Sequence, residues 1–230
     1  MSKSIKVIAF DADDTLWVNE TYFRAAEMEF AKLLSKYQTK NTIDQELFKK
    51  EVENLYFYGY GVKGFVLSMI ECALELSNYQ LNSKPISAIL NIGKEMLEKP
   101  IELLDGVEEV LKELEKKYKL IVATKGDLLD QERKLEKSNL LKYFRHIEVM
   151  SDKKEKDYIK LINHLDIDPS ELLMIGNSLK SDILPLITLG ASAIHIPFHT
   201  TWAHEQVTEE LDLKFEYHTV SNIKDVLRLL

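Results

Sequence analysis

Three carboxylates stand within four positions, at Asp11, Asp13 and Asp14, directly after the run Val7-Ile8-Ala9-Phe10. The apolar run opens on a β-branched residue and predicts a buried strand. Continuous apolar strands belong to parallel sheets, and α/β folds bind their ligands at the carboxyl edge of such sheets. Acids crowded at that edge repel one another. A bound divalent cation would offset the repulsion, and Mg²⁺ takes oxygen ligands of this kind. Asp is also common in turns and helix caps, so the cluster gains weight only from partners elsewhere in the chain.

Those partners recur at further strand ends. Leu120-Ile121-Val122-Ala123 reads as a strand that ends in Thr124-Lys125-Gly126-Asp127. A short strand over 146–150 leads into Lys153, Lys154 and Lys156. Leu172-Leu173-Met174-Ile175 leads into Gly176-Asn177-Ser178, with Asp182 a little beyond. Another strand is predicted over 191–196. Helices are predicted over 107–118, 128–137, 155–165, 180–189 and 221–230. Strand–helix alternation of this kind predicts an α/β fold with a doubly wound, Rossmann-like parallel sheet.

Residues 21–99 have a different pattern. Phe23, Ala26, Phe30, Leu33 and Leu34 recur at helical spacing. So do Leu47, Val52, Leu55 and Tyr56, then Phe65, Val66, Met69, Ile70, Ala73 and Leu74. Gly59, Gly61 and Gly64 separate the second and third helices, making 58–64 a predicted loop. A fourth helix is expected over 87–97, before Pro100. The expected organisation is a sheet-bearing core of residues 1–17 and 100–230, with an all-helical insertion over 18–99.

Taken in order, these segments resemble the haloacid-dehalogenase-like superfamily. The resemblance rests on Asp11-Ala12-Asp13-Asp14-Thr15, Thr124, a lysine of the 153–156 run, and Gly176-Asn177-Ser178-Leu179-Lys180-Ser181-Asp182. It implies a phosphatase whose helical insertion is a cap domain. Asp11 would be the nucleophile and form an aspartyl-phosphate. Asp13 would protonate the leaving alcohol and then activate water. Mg²⁺ would be held by the Asp11 carboxylate, the Asp13 carbonyl and Asp182. Thr124 would hold the phosphate, with Lys125 a further source of positive charge. In the family the lysine precedes a helix by a set distance from a core aromatic. Tyr158 fits that aromatic and points to Lys153. Asn177 departs from the family pattern, where Asp is common. It keeps an oxygen acceptor but loses a charge, so it would reach the metal directly or through water. Thr15 would tie down the turn. In related enzymes a cap loop reads the leaving group, which makes Tyr60 and Lys63 the best-equipped residues of 58–64.

Other readings fit less well. A dehalogenase of the same superfamily lacks the second Asp, so Asp13 argues against it. A phosphomutase shares the motifs and stays open. A phospho-receiver domain is far shorter and has no helical insertion. A calcium loop would need glycine where Leu16 stands. A silent binding protein with this fold is disfavoured while each catalytic position is filled.

Composition narrows the partners. The net charge of −8 over 230 residues argues against a nucleic-acid backbone binder. No segment is long and apolar enough to span a bilayer, and Met1–Lys6 contains no signal-type apolar stretch. The single cysteine, Cys72, lies in an apolar helical run and reads as a core residue. These features lead to the expectation of a cytoplasmic enzyme acting on a small phosphorylated metabolite. They leave its substrate and oligomeric state open.

Overall fold

The computed structural model describes residues 5–208 and 217–230, so Met1–Ser4 of the N-terminal reading lie outside the described residues. Among the described residues, six strands form one sheet: β1 (Val7–Phe10), β2 (Lys119–Lys125), β3 (His146–Met150), β4 (Leu172–Gly176), β5 (Ser192–His195) and β6 (His218–Thr219). Their order is β3-β2-β1-β4-β5-β6, and each neighbouring pair is parallel. The α/β fold class read from the sequence is the one observed.

The strands read as unbroken apolar runs because both faces of the sheet are covered. Ile8, Phe10, Leu120, Val122, Leu173, Ile175 and Ile194 share one core with Val107, Val110, Leu111 and Leu114 of helix α5 (Val107–Leu114). The alternate residues Val7, Ala9, Ile121, Ala123, Leu172 and Met174 pack on the other face. Tyr158, Leu161 and Ile162 of α7 (Glu155–Leu165) cover that face. This two-residue alternation is the pleat of the strand. Between them, α6 (Leu128–Ser138) adds Leu135 to the first core.

The chain separates into two compact units. One holds the sheet and comprises the residues up to Glu20, Ile101–Lys125 and those from Gln131 onward; the other is Thr21–Pro100 with Gly126–Asp130. The second contains α1 (Glu20–Leu34), α2 (Lys40–Tyr58), α3 (Val62–Leu76) and α4 (Ser83–Glu98). Phe30, Leu34, Ile43, Leu47, Phe65, Met69 and Ile89 form its core. Cys72 is buried in that core, and burial pushes its thiol up to about 12, so it packs as an apolar side chain. Thr39 and Asn82 cap α2 and α4 through their side-chain oxygens. Gly126–Asp130 group with these helices, whereas the sequence reading keeps them with the sheet. Within the helical unit, Lys63 pairs with Asp127 at 2.9 Å.

Four local expectations are corrected. The predicted loop over 58–64 shrinks to residues 59–61, because α3 already begins at Val62. Gly64 lies inside α3, where a Cβ would come within 2.7 Å of the Gly59 carbonyl oxygen. Its glycine therefore serves a tight helix–helix corner, not a break. The helix predicted over 180–189 is a single π-helical turn, Leu179–Ile183, followed by α8 (Leu184–Thr188). Pro185 has no N–H to give the Ser181 carbonyl. The Tyr158 hydroxyl donates to that carbonyl instead, at 2.9 Å. The C-terminal helix is a 3₁₀ segment, Ile223–Arg228. The two-residue strand β6 was not read from the sequence at all.

Candidate active site

Strand register brings the chemistry together. Val7 pairs with Lys119 on one side and Leu172 on the other, and Phe10 with Val122 and Ile175. Asp11 therefore leaves β1 level with Ala123, one residue before Thr124, and with Gly176, and its backbone N–H donates to the Ile175 carbonyl at 2.9 Å.

Lys153 stands between two of the acids. Its ammonium donates to Asp11 Oδ1 and, at 2.7 Å, to Asp182 Oδ1. Lys153 is 2% exposed and Asp182 1%. Burial opposes the lysine's charge, but Asp11 and Asp182 overcome it and raise its pKa. Burial pushes the Asp11 carboxyl up to about 7, with Asp182 adding to the rise and Lys153 opposing it. The other Asp182 oxygen accepts the Ser178 backbone N–H at 2.9 Å. Thr124 is buried at the end of β2.

This approach of Asp182 depends on Gly176. A Cβ there would lie 2.4 Å from Asp182 Oδ2 and 2.6 Å from its Cβ. Gly176→Ala is expected to displace Asp182 and to destabilise the protein by about 1–3 kcal/mol, the usual cost of overpacking. Thermal denaturation reads the loss of stability. If Asp182 holds the metal, the Mg²⁺ concentration needed for half-maximal activity also rises. An unchanged melting temperature would show that the β4 loop can move aside freely.

A second group surrounds the other Asp11 oxygen. Thr15 Oγ1 donates to Asp11 Oδ2 at 3.3 Å. The Asn177 amide, with its nitrogen turned toward its neighbours, lies 3.1 Å from Asp11 Oδ2, 3.3 Å from the Asp13 carbonyl oxygen and 3.3 Å from Thr15 Oγ1. Asn177 thus reaches the two oxygens of the Asp11–Asp13 segment assigned to a metal. Among the described residues, no three His, Cys, Asp or Glu side chains gather as a metal cage. The oxygen donors available are two carboxylates and a carbonyl, with the Asn177 N–H groups donating to the Asp11 and Asp13 oxygens beside them. All are hard oxygens, and Mg²⁺ is usually held by one or two carboxylates while keeping waters and phosphate. The residues fit that ion.

The third carboxylate of the cluster has a different task. Asp14 adopts a left-handed φ of 63°. Its side chain accepts the backbone N–H groups of Asn19 and Glu20 at 2.8 to 3.1 Å, where α1 begins. Burial pushes its carboxyl up to about 8, against the pull of those two donors. Asp14 is a cap that ties the turn carrying Asp13 to the start of α1. The Asp13 carboxylate accepts from Trp17 Nε1 at 2.7 Å, Gln131 Nε2 at 2.8 Å and Lys134 Nζ at 3.0 Å.

Lys125 is tied to residues that sequence reasoning missed. Its ammonium lies 2.6 Å from Glu205 and 2.8 Å from Ser181 Oγ. Glu205 also accepts from the Ser178 and Ser181 hydroxyls at 2.6 and 2.5 Å. Burial alone would raise Glu205, but Lys125 and the two serines hold its carboxyl down to about 2. Neither Glu205 nor Lys134 carries a local signal, since the Glu205 partners are 24 to 80 positions away and Asp13 is 121 from Lys134. Tyr60 and Lys63 belong to the helical unit, where Lys63 meets Asp127. His199 packs on Phe198, and His204 on Trp202.

A parallel sheet in this strand order, with a buried Asp–Lys–Asp group at its carboxyl edge, defines a hydrolase class that comparison also finds. The model of the haloacid dehalogenase-like hydrolases matches residues 5–190, and the chain belongs to that family. N-acylneuraminate-9-phosphatase of Homo sapiens is 26% identical over 200 residues, covering 82% of this chain and 81% of the relative. Such relatives place the chain among the family's phosphatases. A haloacid dehalogenase-like hydrolase from Xanthomonas campestris superposes with a TM-score of 0.86 at 35% identity, covering 98% of this chain and 91% of its own. The HAD-hydrolase YfnB from Bacillus subtilis, described as bound to magnesium, shares the fold with a TM-score of 0.68 at 18% identity, covering 99% of each chain.

Proposed function

We propose that the protein is a Mg²⁺-dependent phosphatase that hydrolyses a small phosphorylated metabolite through an aspartyl-phosphate on Asp11. The observation that carries this reading is the buried Lys153 bridging Asp11 and Asp182, with Asp13 two residues on. One Asp11 oxygen attacks phosphorus, and the bond from phosphorus to the ester oxygen breaks. The leaving oxygen takes a proton from the Asp13 carboxyl. The Asp13 carboxylate then removes a proton from water, whose oxygen attacks the same phosphorus. The bond to Asp11 breaks, releasing inorganic phosphate and restoring both carboxylates to their starting states.

Lys153 and Thr124 would bind the phosphoryl oxygens as charge builds on them. Lys125, the further source of positive charge expected from the sequence, is ion-paired with Glu205 at 2.6 Å, which offsets the charge it would bring to the phosphate. Mg²⁺, bound by Asp11, the Asp13 carbonyl and Asp182 with Asn177 beside them, would neutralise phosphoryl charge and orient the ester. The magnesium described for the Bacillus subtilis hydrolase supports that choice of ion. Asp13 favours phosphate esters over halogenated acids. No helix among the described residues is long and apolar enough to cross a membrane.

The test is phosphate release from a panel of esters with Mg²⁺ and with excess EDTA. The panel contains N-acylneuraminate 9-phosphate, hexose phosphates, phosphoglycolate and nucleotides. At least one is expected to turn over, and only with Mg²⁺. Absence of turnover across such a panel, in folded protein saturated with Mg²⁺, would overturn the reading. Equal rates in EDTA would remove the metal from it.

A further inference from the structure

We propose that Lys134 and Gln131 of α6 are positioning residues that hold the Asp13 carboxylate in place for proton transfer; this rests on the reading of Asp13 as the acid–base group. Neither residue lies in the segments that define the family resemblance. They are three positions apart, so one face of α6 presents both. Lys134 Nζ reaches both Asp13 oxygens, at 3.0 and 3.2 Å. Gln131 Nε2 donates to Oδ2 at 2.8 Å, and Trp17 Nε1 to Oδ1 at 2.7 Å.

The grip has a firm base. Gln131 is 2% exposed, and its NH₂ group also donates to the Lys125 carbonyl at 3.4 Å. That second acceptor fixes which way the amide points. Its Oε1 is buried and meets no donor among the described residues, so the amide is held through its nitrogen alone. Lys134 also donates to Asn19 Oδ1 at 2.8 Å, which ties α6 to the far side of the turn carrying Asp13. The Asp13 side chain is 21% exposed. Without these donors, a short carboxylate at a partly wet turn would sample several rotamers. A group that must pass a proton to one ester oxygen loses rate steeply when it is misplaced by an ångström.

The test uses leaving-group dependence, which a merely structural role would not alter. Benzyl phosphate and p-nitrophenyl phosphate are similar in size. The benzyl alkoxide needs a proton as it leaves, whereas p-nitrophenolate hardly does. The quantity compared is kcat/KM, because it covers steps only up to the irreversible loss of the alcohol. Lys134→Met is expected to lower kcat/KM for benzyl phosphate by about 10- to 100-fold and for p-nitrophenyl phosphate by no more than about threefold. Lys134→Arg keeps a cationic donor and should recover most of the loss. If Lys134→Met does not fold, Gln131→Met is subject to the same comparison and the same expectation. Equal falls on both esters, or no fall on either, would overturn the proposal. Asp13→Asn run alongside separates the two readings. If it is selective for benzyl phosphate and the α6 variants are not, only the positioning role fails. If it shows no selectivity, the acid–base role of Asp13 fails and the proposal fails with it.

Discussion

Asp11→Asn is expected to abolish phosphate release, lowering turnover by at least about 10⁴-fold, the scale on which loss of a nucleophile is felt. An amide does not attack phosphorus to form a stable acyl phosphate, so no phosphoenzyme should accumulate. The fold should survive the change. The amide oxygen can still accept from Lys153, and burial already disfavours a charge at this position. Thermal denaturation close to wild type, together with lost turnover, is the expected pair of results. Sustained turnover in a folded, homogeneous Asp11→Asn preparation would sink the covalent mechanism.

Lys153→Met should affect stability as strongly as activity. The lysine is the cation between Asp11 and Asp182, and its side chain is 1% exposed. Removing one partner of a buried ion group leaves uncompensated charge and costs about 3–5 kcal/mol. For a chain of this size that corresponds to a melting temperature lower by roughly 6–20 °C. Phosphate release should also be lost, since no other ammonium touches Asp11 among the described contacts. Added Mg²⁺ is expected to raise the melting temperature of Lys153→Met more than that of wild type. In the variant the two carboxylates depend on the added cation alone, and a ligand bound only to the folded state stabilises it. A melting temperature unchanged from wild type would mean that the lysine is dispensable to the fold.

Much of the core was legible in the chain because its signals are local. Val7–Phe10 and Leu172–Gly176 are apolar throughout, since both faces of a central parallel strand are buried. The β3 and α7 boundaries, at His146–Met150 and Glu155–Leu165, coincide with the expected 146–150 and 155–165. Gly64 and the segment over 180–189 depart from the sequence reading for opposite reasons. A glycine taken as a helix break is needed where α3 passes close to the end of α2. A proline inside a predicted helix changed the kind of helical turn, because Tyr158 supplies the hydrogen bond that Pro185 cannot.

By itself the sequence determined which residue types stand at the strand ends, and hence the class of chemistry available: Asp11, Asp13, Thr124, Lys153, Asn177 and Asp182. Only the tertiary structure decided how they are shared out. It drew Asp14 out of the cluster to cap α1 and surrounded Asp13 with Trp17, Gln131 and Lys134. It also joined Lys125 to Glu205 and the two serines. The physical reason is range. Burial patterns and turn signals act over a few residues and are written in local periodicity. The partner of a charged or amide side chain is chosen by which chain segments the packed core brings within about 3 Å.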